Sequence, residues 1–380
     1  MSIYLDYAAA TPQDSRVTTA MQPYFSQQFY NPSSPYLAAR QVRTDLEQAR
    51  SRVAHWLGAK PTEVIFTAGA TESINLAIHG VMQRFPSGHL LISAIEHDAV
   101  RKTADPYNHS VLPVLPSGAL DLEKLDTAIT DHTVLVSIGY ANNEIGTIQP
   151  LHDIAAVLEK HRAKRQKSGH NLPLYLHTDA SQAASYLDLH ASRLGVDLLT
   201  LNGGKIYGPK QTGVLYIKTG SQLTPLITGG GQESGLRSGT ENVAGAIGFA
   251  TALDIAQTER KNAIAKQSAL RDELERRLLT TFPHAQINGN RKKRLPNNLH
   301  ISWPGIDGER LVMQLDESGL QAATGSACAA NKNTASHVLK AIGLDGSYIQ
   351  GSLRLSLGTP TTSDQISAAA DIIIKCLKQL

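Results

Sequence analysis

Cysteine is nearly missing from this chain: 380 residues carry two, Cys328 and Cys376. A secreted protein held by disulfides carries more, so a reducing compartment is expected. Long apolar runs are missing too; those present are too short and interrupted to span a bilayer. Residues 1–12 show neither the basic start nor the apolar stretch of a secretory leader. Cytoplasm is the expected location, with no membrane partner. Excess charge of one sign is a third absence. The 36 basic and 33 acidic residues leave a net charge of +3, which gives no basis for nucleic acid as a direct partner. Internal repeats, low-complexity tracts and disordered linkers are absent as well.

What remains is an ordinary globular composition, 41% hydrophobic and 18% charged. A single core stops growing near ~250–300 residues, so 380 residues are read as two domains. Two basic clusters stand out, His161, Arg162, Lys164, Arg165 and Lys167, and then Arg291 to Arg294. Such runs are expected to be solvated faces, with a docking patch for an acidic partner as the lesser reading.

Between about residues 36 and 220 helical and strand patterns alternate. Leu37, Val42, Leu46, Ala49, Val53 and Leu57 mark one helix face, which stops at the C-capping Gly58. Short apolar runs follow around Val64, Leu90, Val111, Val134, Leu174, Leu198 and Val214, several separated by helical segments such as Leu151 to Lys167. That rhythm predicts a mostly parallel sheet covered on both faces. A continuous helical stretch from Asn242 to Leu279 is expected to connect to a second domain. Beyond it lie strands at Leu299 to Ile301 and Leu353 to Ser356, a helix near Glu309 to Leu315, and a final helix from Ser363.

The chemistry is concentrated in a few segments. Lys205 follows a strand pattern and sits between Gly203-Gly204 and Gly208-Pro209, a setting for an amine that reaches into a pocket. Taken alone, a lysine in a turn is usually a surface charge. Upstream, a strand ends in Asp179, and a carboxylate there is costly unless it meets a cation or donor. A protonated pyridine nitrogen is one such partner, recurrent in pyridoxal-phosphate sites. Phe66 to Asn75 places Gly69, Ala70 and Thr71 where a strand turns into a helix, either a phosphate cradle or simply a capped helix. The glycine-rich 229–231 stretch lacks the Gly-Lys-Ser/Thr ending of a P-loop.

Taken together, the chain resembles the cysteine desulfurases of the NifS/IscS type, class V members of the fold-type I pyridoxal-phosphate enzymes. Ten segments in the family's order carry the resemblance: Tyr4 to Tyr7 with Thr11-Pro12, Asn31 to Ser34, Phe66 to Asn75, Glu96-His97, Asn142 to Gly146, Asp179 to Gln182, Lys205 to Lys210, Gly229 to Asn242, Gly325 to Cys328, and Arg354 to Gly358. It implies an α/β fold. A large domain, residues 15–250, would hold a mostly parallel sheet; a smaller α/β domain would combine residues 1–14 with 251–380 and carry the cysteine loop. It also implies a pyridoxal 5'-phosphate cofactor, L-cysteine as substrate, a homodimer, no metal, and a sulfur-acceptor protein serving iron–sulfur clusters or thiolated tRNA.

Roles follow from the resemblance. Lys205 would carry the cofactor and move protons, and Asp179 would hold the pyridine nitrogen protonated. Gln182 would donate to the ring hydroxyl, with Asn143 near that oxygen and the substrate carboxylate. His97 would stack on the ring and act as acid and base. Ala70 and Thr71 would hold the phosphate, joined by Thr240 from the other subunit. Arg354 would clamp the substrate carboxylate. Cys328, in a loop of small and polar residues, would accept the sulfur as a persulfide with release of alanine, while Cys376 lies in an apolar helical run and reads as structural.

Asn202 and Gly204 depart from the family, which usually has Ser and His there; Tyr36, Ser234 and Thr359 depart as well. Either a phosphate contact is lost at Gly204, or Asn202 replaces it, or Gly204 occupies a turn only glycine tolerates. A selenocysteine lyase, another class V enzyme, and a non-catalytic scaffold homologue stay open as alternatives.

Overall fold

The computed structural model describes residues 2–324 and 335–380; Cys328 lies outside them. Among the described residues the central feature is a seven-stranded sheet. Its spatial order is Val64–Thr67, Gly213–Ile217, Leu198–Asn202, Tyr175–Asp179, Thr133–Ser137, His89–Ser93 and His109–Leu112. Gly213–Ile217 runs against both neighbours, and the remaining strands are parallel. Every residue of Thr133–Ser137 is buried, as a central parallel strand covered by helices requires.

The helix Leu37–Leu57 ends at Gly58 with φ 59°, the left-handed geometry that glycine adopts without steric cost. Val42, Leu46, Ala49, Val53 and Leu57 are buried along it, but Leu37 is 79% exposed. It occupies the first turn, beyond the end of the buried face, in the same stretch of chain as the exposed Phe25, Phe29 and Tyr36.

The expected continuous helix from Asn242 to Leu279 is two helices, Val243–Thr258 and Arg260–Thr281, broken at Glu259. The break follows a change of packing partner. Val243–Thr258 lies on Leu37–Leu57 and shares its core, whereas Leu274 and Leu278 of the second helix pack with Ile373 and Ala370 of Ser363–Leu377. Residue 250 falls inside the first of these helices.

A second sheet joins Asn298–Ser302 antiparallel to Ser352–Ser356 and to Gln286–Ile287. The amino-terminal strand Ile3–Tyr4 pairs with Leu320–Gln321. Ile3 and Leu5 thereby enter the core formed by residues 274–377.

The two basic clusters are only partly solvated. Arg165 is buried, its guanidinium donating to the carbonyls of Thr130, Thr133 and Pro173 at 2.6–2.9 Å. Arg162 pairs with the buried Asp197, and Arg294 is buried against Glu275 at 2.7 Å. These arginines close strand and loop ends from inside, satisfying carbonyls and carboxylates that burial would leave unpaired.

Candidate active site

The parallel strands deliver their carboxyl ends to one side of the sheet, where ligands gather in open α/β folds. A cavity of about 190 Å³ opens there. Ala70, Thr71, His97, Asn143, Asp179, Gln182, Asn202, Lys205 and Arg354 all line it, although they come from segments nearly 300 residues apart.

Lys205 ends a one-turn 3-10 helix that follows Leu198–Asn202. The Asn202 side-chain oxygen accepts from the Gly204 amide at 3.0 Å and caps this turn. Thr11 fastens it from the amino-terminal segment: its hydroxyl donates to the Gly204 carbonyl at 3.1 Å and accepts from the Tyr207 amide at 2.9 Å. Tyr207 is held at φ 61°, a conformation that costs a non-glycine residue free energy and persists where surroundings enforce it. The Lys205 amine donates to the carbonyls of Ala8 at 2.8 Å and Ala9 at 2.5 Å. Gln182 also donates to the Ala8 carbonyl, at 3.0 Å.

Asp179 closes its strand, with one carboxylate oxygen accepting from the Ser181 amide at 2.9 Å and hydroxyl at 2.6 Å. Two positions back, His177 is fully buried between the hydroxyls of Ser137 and Thr200 at 2.8 and 3.0 Å. Burial pulls its pKa down to about 4, so it is a neutral ring supporting the strand end.

His97 caps the helix Asp98–Ala104, its Nδ1 accepting from the Ala99 amide at 3.0 Å. That bond puts the ring proton of the neutral imidazole on Nε2. The helix Ala70–Arg84 begins after Gly69, at φ 136°, with no side chain capping its first amides. Those amides and the helix dipole form an anion-binding end at the cavity wall.

Arg354, on Ser352–Ser356, is 1% exposed. Its Nη2 meets Asp6 at 2.6 Å and its Nη1 the Asn143 carbonyl at 3.3 Å. Nε finds no hydrogen-bond partner among the described residues. A buried guanidinium with an unsatisfied N–H beside a cavity suits an anionic ligand.

Thr240 is exposed and does not line this cavity. Ala8, Ala9, Glu96, Asn142, Gln149 and Ser181 do, and the sequence reading gave none of them a role. Glu96, Asn142 and Ser181 stood within quoted motifs. The alanines contribute backbone carbonyls and leave no side-chain signal to read.

The chain matches the family model described as aminotransferase class-V over residues 3–368. It belongs to that family. Within this class V family, the cysteine desulfurase IscS of Dictyoglomus turgidum is 38% identical over 385 aligned residues, covering 100% of this chain and 95% of that protein. The cysteine desulfurase IscS 1 of Archaeoglobus fulgidus is 37% identical, covering 99% and 97%. Among solved structures, a NifS-like protein superposes with a TM-score of 0.92 at 34% identity over 100% of both chains. SspA in complex with cysteine gives 0.80 at 34% identity, covering 94% of this chain and 99% of that one.

Proposed function

We propose that this protein is a pyridoxal-phosphate-dependent cysteine desulfurase, moving sulfur from L-cysteine onto Cys328 and releasing L-alanine. The observation that carries the reading is full-length similarity to cysteine desulfurases in a chain that sets Lys205, Asp179, His97 and Arg354 around one cavity. The donor set fits the cofactor. An uncapped helix end suits its phosphate, a hydrogen-bonded carboxylate suits its pyridinium, and an amine lines the same cavity. Bound there, pyridoxal phosphate supplies an electron sink for bond breaking at the carbons of cysteine.

The residues of the chain do the rest. Ala70 and Thr71 hold the phosphate end, with Asn202 beside the lysine turn, and Asp179 sets the charge at the other; Gln182 and Asn143 fix the ring edge. Lys205 moves a proton at Nζ, and His97 donates or accepts one at Nε2. Arg354 binds the substrate carboxylate. Cys328, as thiolate, attacks the sulfur of cysteine; the sulfur–carbon bond breaks, a sulfur–sulfur bond forms, and the carbon takes a proton to become the alanine methyl.

We read the enzyme as a cytoplasmic homodimer in which the exposed Thr240 serves the phosphate of the neighbouring subunit, with an acceptor protein taking the persulfide toward iron–sulfur clusters or thiolated tRNA. No helix of the described residues is long and apolar enough to cross a membrane. The division into residues 15–250 and 1–14 with 251–380 belongs to the same reading.

Cysteine substitutions test the chemistry. Cys328→Ser is expected to keep the yellow cofactor absorbance and release no sulfide. Cys376 is 2% exposed, its thiol directed to the Gln314 carbonyl at 3.8 Å, so Cys376→Ser leaves sulfide release nearly unchanged. The reverse pattern would show that the wrong thiol has been chosen. Selenide release from selenocysteine with none from cysteine would favour the lyase alternative, and a colourless, inert protein the scaffold.

Gly204 gives a second test. Its φ is not positive, and an added Cβ would meet Asn202 Oδ1 at 3.5 Å and Lys210 Cγ at 3.7 Å, ordinary contacts. The turn therefore does not require glycine, and the Asn202 oxygen is already committed to capping it. Gly204→His is expected to tighten pyridoxal-phosphate binding by up to about tenfold, ~1.4 kcal/mol. Titration of apoprotein reads this directly, and unchanged or weaker binding would mean that the loop does not admit the donor.

A further inference from the structure

Glu96 is a buried carboxyl that the proposed chemistry leaves unused. It lines the cavity next to His97 and is 4% exposed. Both its oxygens share a single donor, the Gly139 amide, at 2.9 and 3.0 Å. No lysine or arginine among the described residues pairs with it; the ion pairs of the cavity wall go elsewhere, Arg354 to Asp6 for example. Asp179 stands against the same strip of backbone. Tyr140 donates its amide to the Asp179 carbonyl at 2.9 Å, and a Cβ on Gly139 would lie 3.2 Å from Glu96 Oε2 and 3.9 Å from the Asp179 carbonyl oxygen.

Both carboxyl groups line one cavity, near enough for the charge of Asp179 to act on Glu96, and with unequal support. Asp179 has a dedicated amide and a dedicated hydroxyl on one oxygen; Glu96 has one amide divided between two. Close carboxylates in a dry site do not both ionise cheaply, and the better-solvated one takes the charge.

We propose that Glu96 is a positioning residue held as the neutral acid, so that Asp179 alone of the two carries negative charge. The proposal deepens the desulfurase reading, and rests on it for the second arm of its test only. Burial first, and then the charge of Asp179, push the Glu96 pKa up to about 8. The titratable and charged groups around it are Asp179 on Tyr175–Asp179, His97 in its own turn, and His337, whose Nε2 lies 3.0 Å from the Glu96 carbonyl. Lys205 and Arg354 line the same cavity. Near neutrality the acid is a dipole rather than a charge. On the alkaline side it becomes a second anion beside Asp179, competing for whatever cation Asp179 is there to hold.

The sign of the stability effect follows. A carboxyl holding its proton more tightly folded than unfolded contributes stability that is complete below its ordinary range. That contribution is lost as pH rises toward about 8 and is constant beyond.

The first arm uses apoprotein. The melting temperature of Glu96→Gln minus that of the wild type is expected to climb between about pH 5 and about pH 8, and then level off. Glu144, also buried and pushed up to about 7, gives a protonated-carboxyl infrared band in both proteins; the wild-type minus Glu96→Gln difference band is expected at about pH 6 and to fade through about pH 8. A pH-independent difference without that band would overturn the proposal. The second arm uses the loaded enzyme and the ratio of sulfide release by Glu96→Gln to that by wild type. Taking the ratio cancels the titration of the substrate thiol and of Cys328, which both proteins share. It is expected to rise above about pH 8 by as much as about tenfold per pH unit, and a flat ratio counts against Glu96. Wild-type protein that releases no sulfide at any pH would sink the desulfurase reading instead, leaving the apoprotein arm to decide on Glu96.

Discussion

Lys205→Ala is expected to remove the yellow absorbance of the loaded protein and to lower sulfide release from cysteine by about a thousandfold or more, the scale of losing both an attachment point and a general acid–base group. The local structure should survive. The turn is held by Asn202 and Thr11 through backbone atoms of residues 204 and 207, none of which the substitution touches. Among the bonds that disappear are those from Nζ to the carbonyls of Ala8 and Ala9, and these carbonyls can turn to solvent or to Gln182, which already donates to Ala8. Melting temperature should therefore move little while absorbance and turnover collapse. An alanine variant that stayed yellow and active would place the cofactor on another amine.

Arg354→Ala should act on two levels at once. The guanidinium is buried and paired with Asp6, which is itself mostly covered, and removing one member of such a pair costs about 3–5 kcal/mol. The lower end applies, because the Asp6 side chain retains 17% exposure and recovers some hydration. Arg354→Lys separates folding from binding. It restores a cation for Asp6 but loses the planar fork and the Nε donor. Its melting temperature should lie near that of the wild type while KM for cysteine rises about tenfold or more, the equivalent of one charge-assisted hydrogen bond. A lysine variant with unchanged KM would remove Arg354 from carboxylate recognition and leave it as a structural tie between the two ends of the chain.

Much of this architecture could be read from residue order, and the exceptions share a cause. The helix to Gly58, each strand of the parallel run and the lysine turn are local patterns; each is written within a short stretch of neighbouring residues and needs no knowledge of what packs against it. Arg165 and Arg294 look like members of solvated basic runs because their partners, the carbonyls of Thr130 and Thr133 and the carboxylate of Glu275, are supplied by other segments. The break at Glu259 is invisible in the helical pattern because it marks a change of packing partner rather than a loss of helix propensity. Leu37 fails in the opposite direction: its spacing continues the apolar face, but nothing among the described residues covers it. In the cavity, Lys205 and Asp179 announce themselves by their settings at strand ends. Glu96 does not, since a carboxyl beside a histidine in a turn becomes unusual only once burial and a single shared donor are known.

The contacts of the first dozen residues set an order of assembly. Ile3 pairs with Leu320, Asp6 with Arg354, and Ala8, Ala9 and Thr11 all meet the lysine turn. A chain made from its amino terminus holds this segment ready long before any of those partners exists. Its first partner is Gln182, which donates to the Ala8 carbonyl; the lysine turn follows at residue 205, and the pairing with Arg354 waits for residue 354. Contacts of such sequence separation carry a large loop-closure cost and form late. Residues 3–11, made well before their partners, are thus among the last to be placed, and the cavity gains its Ala8–Ala9 wall only when this segment has met the lysine turn.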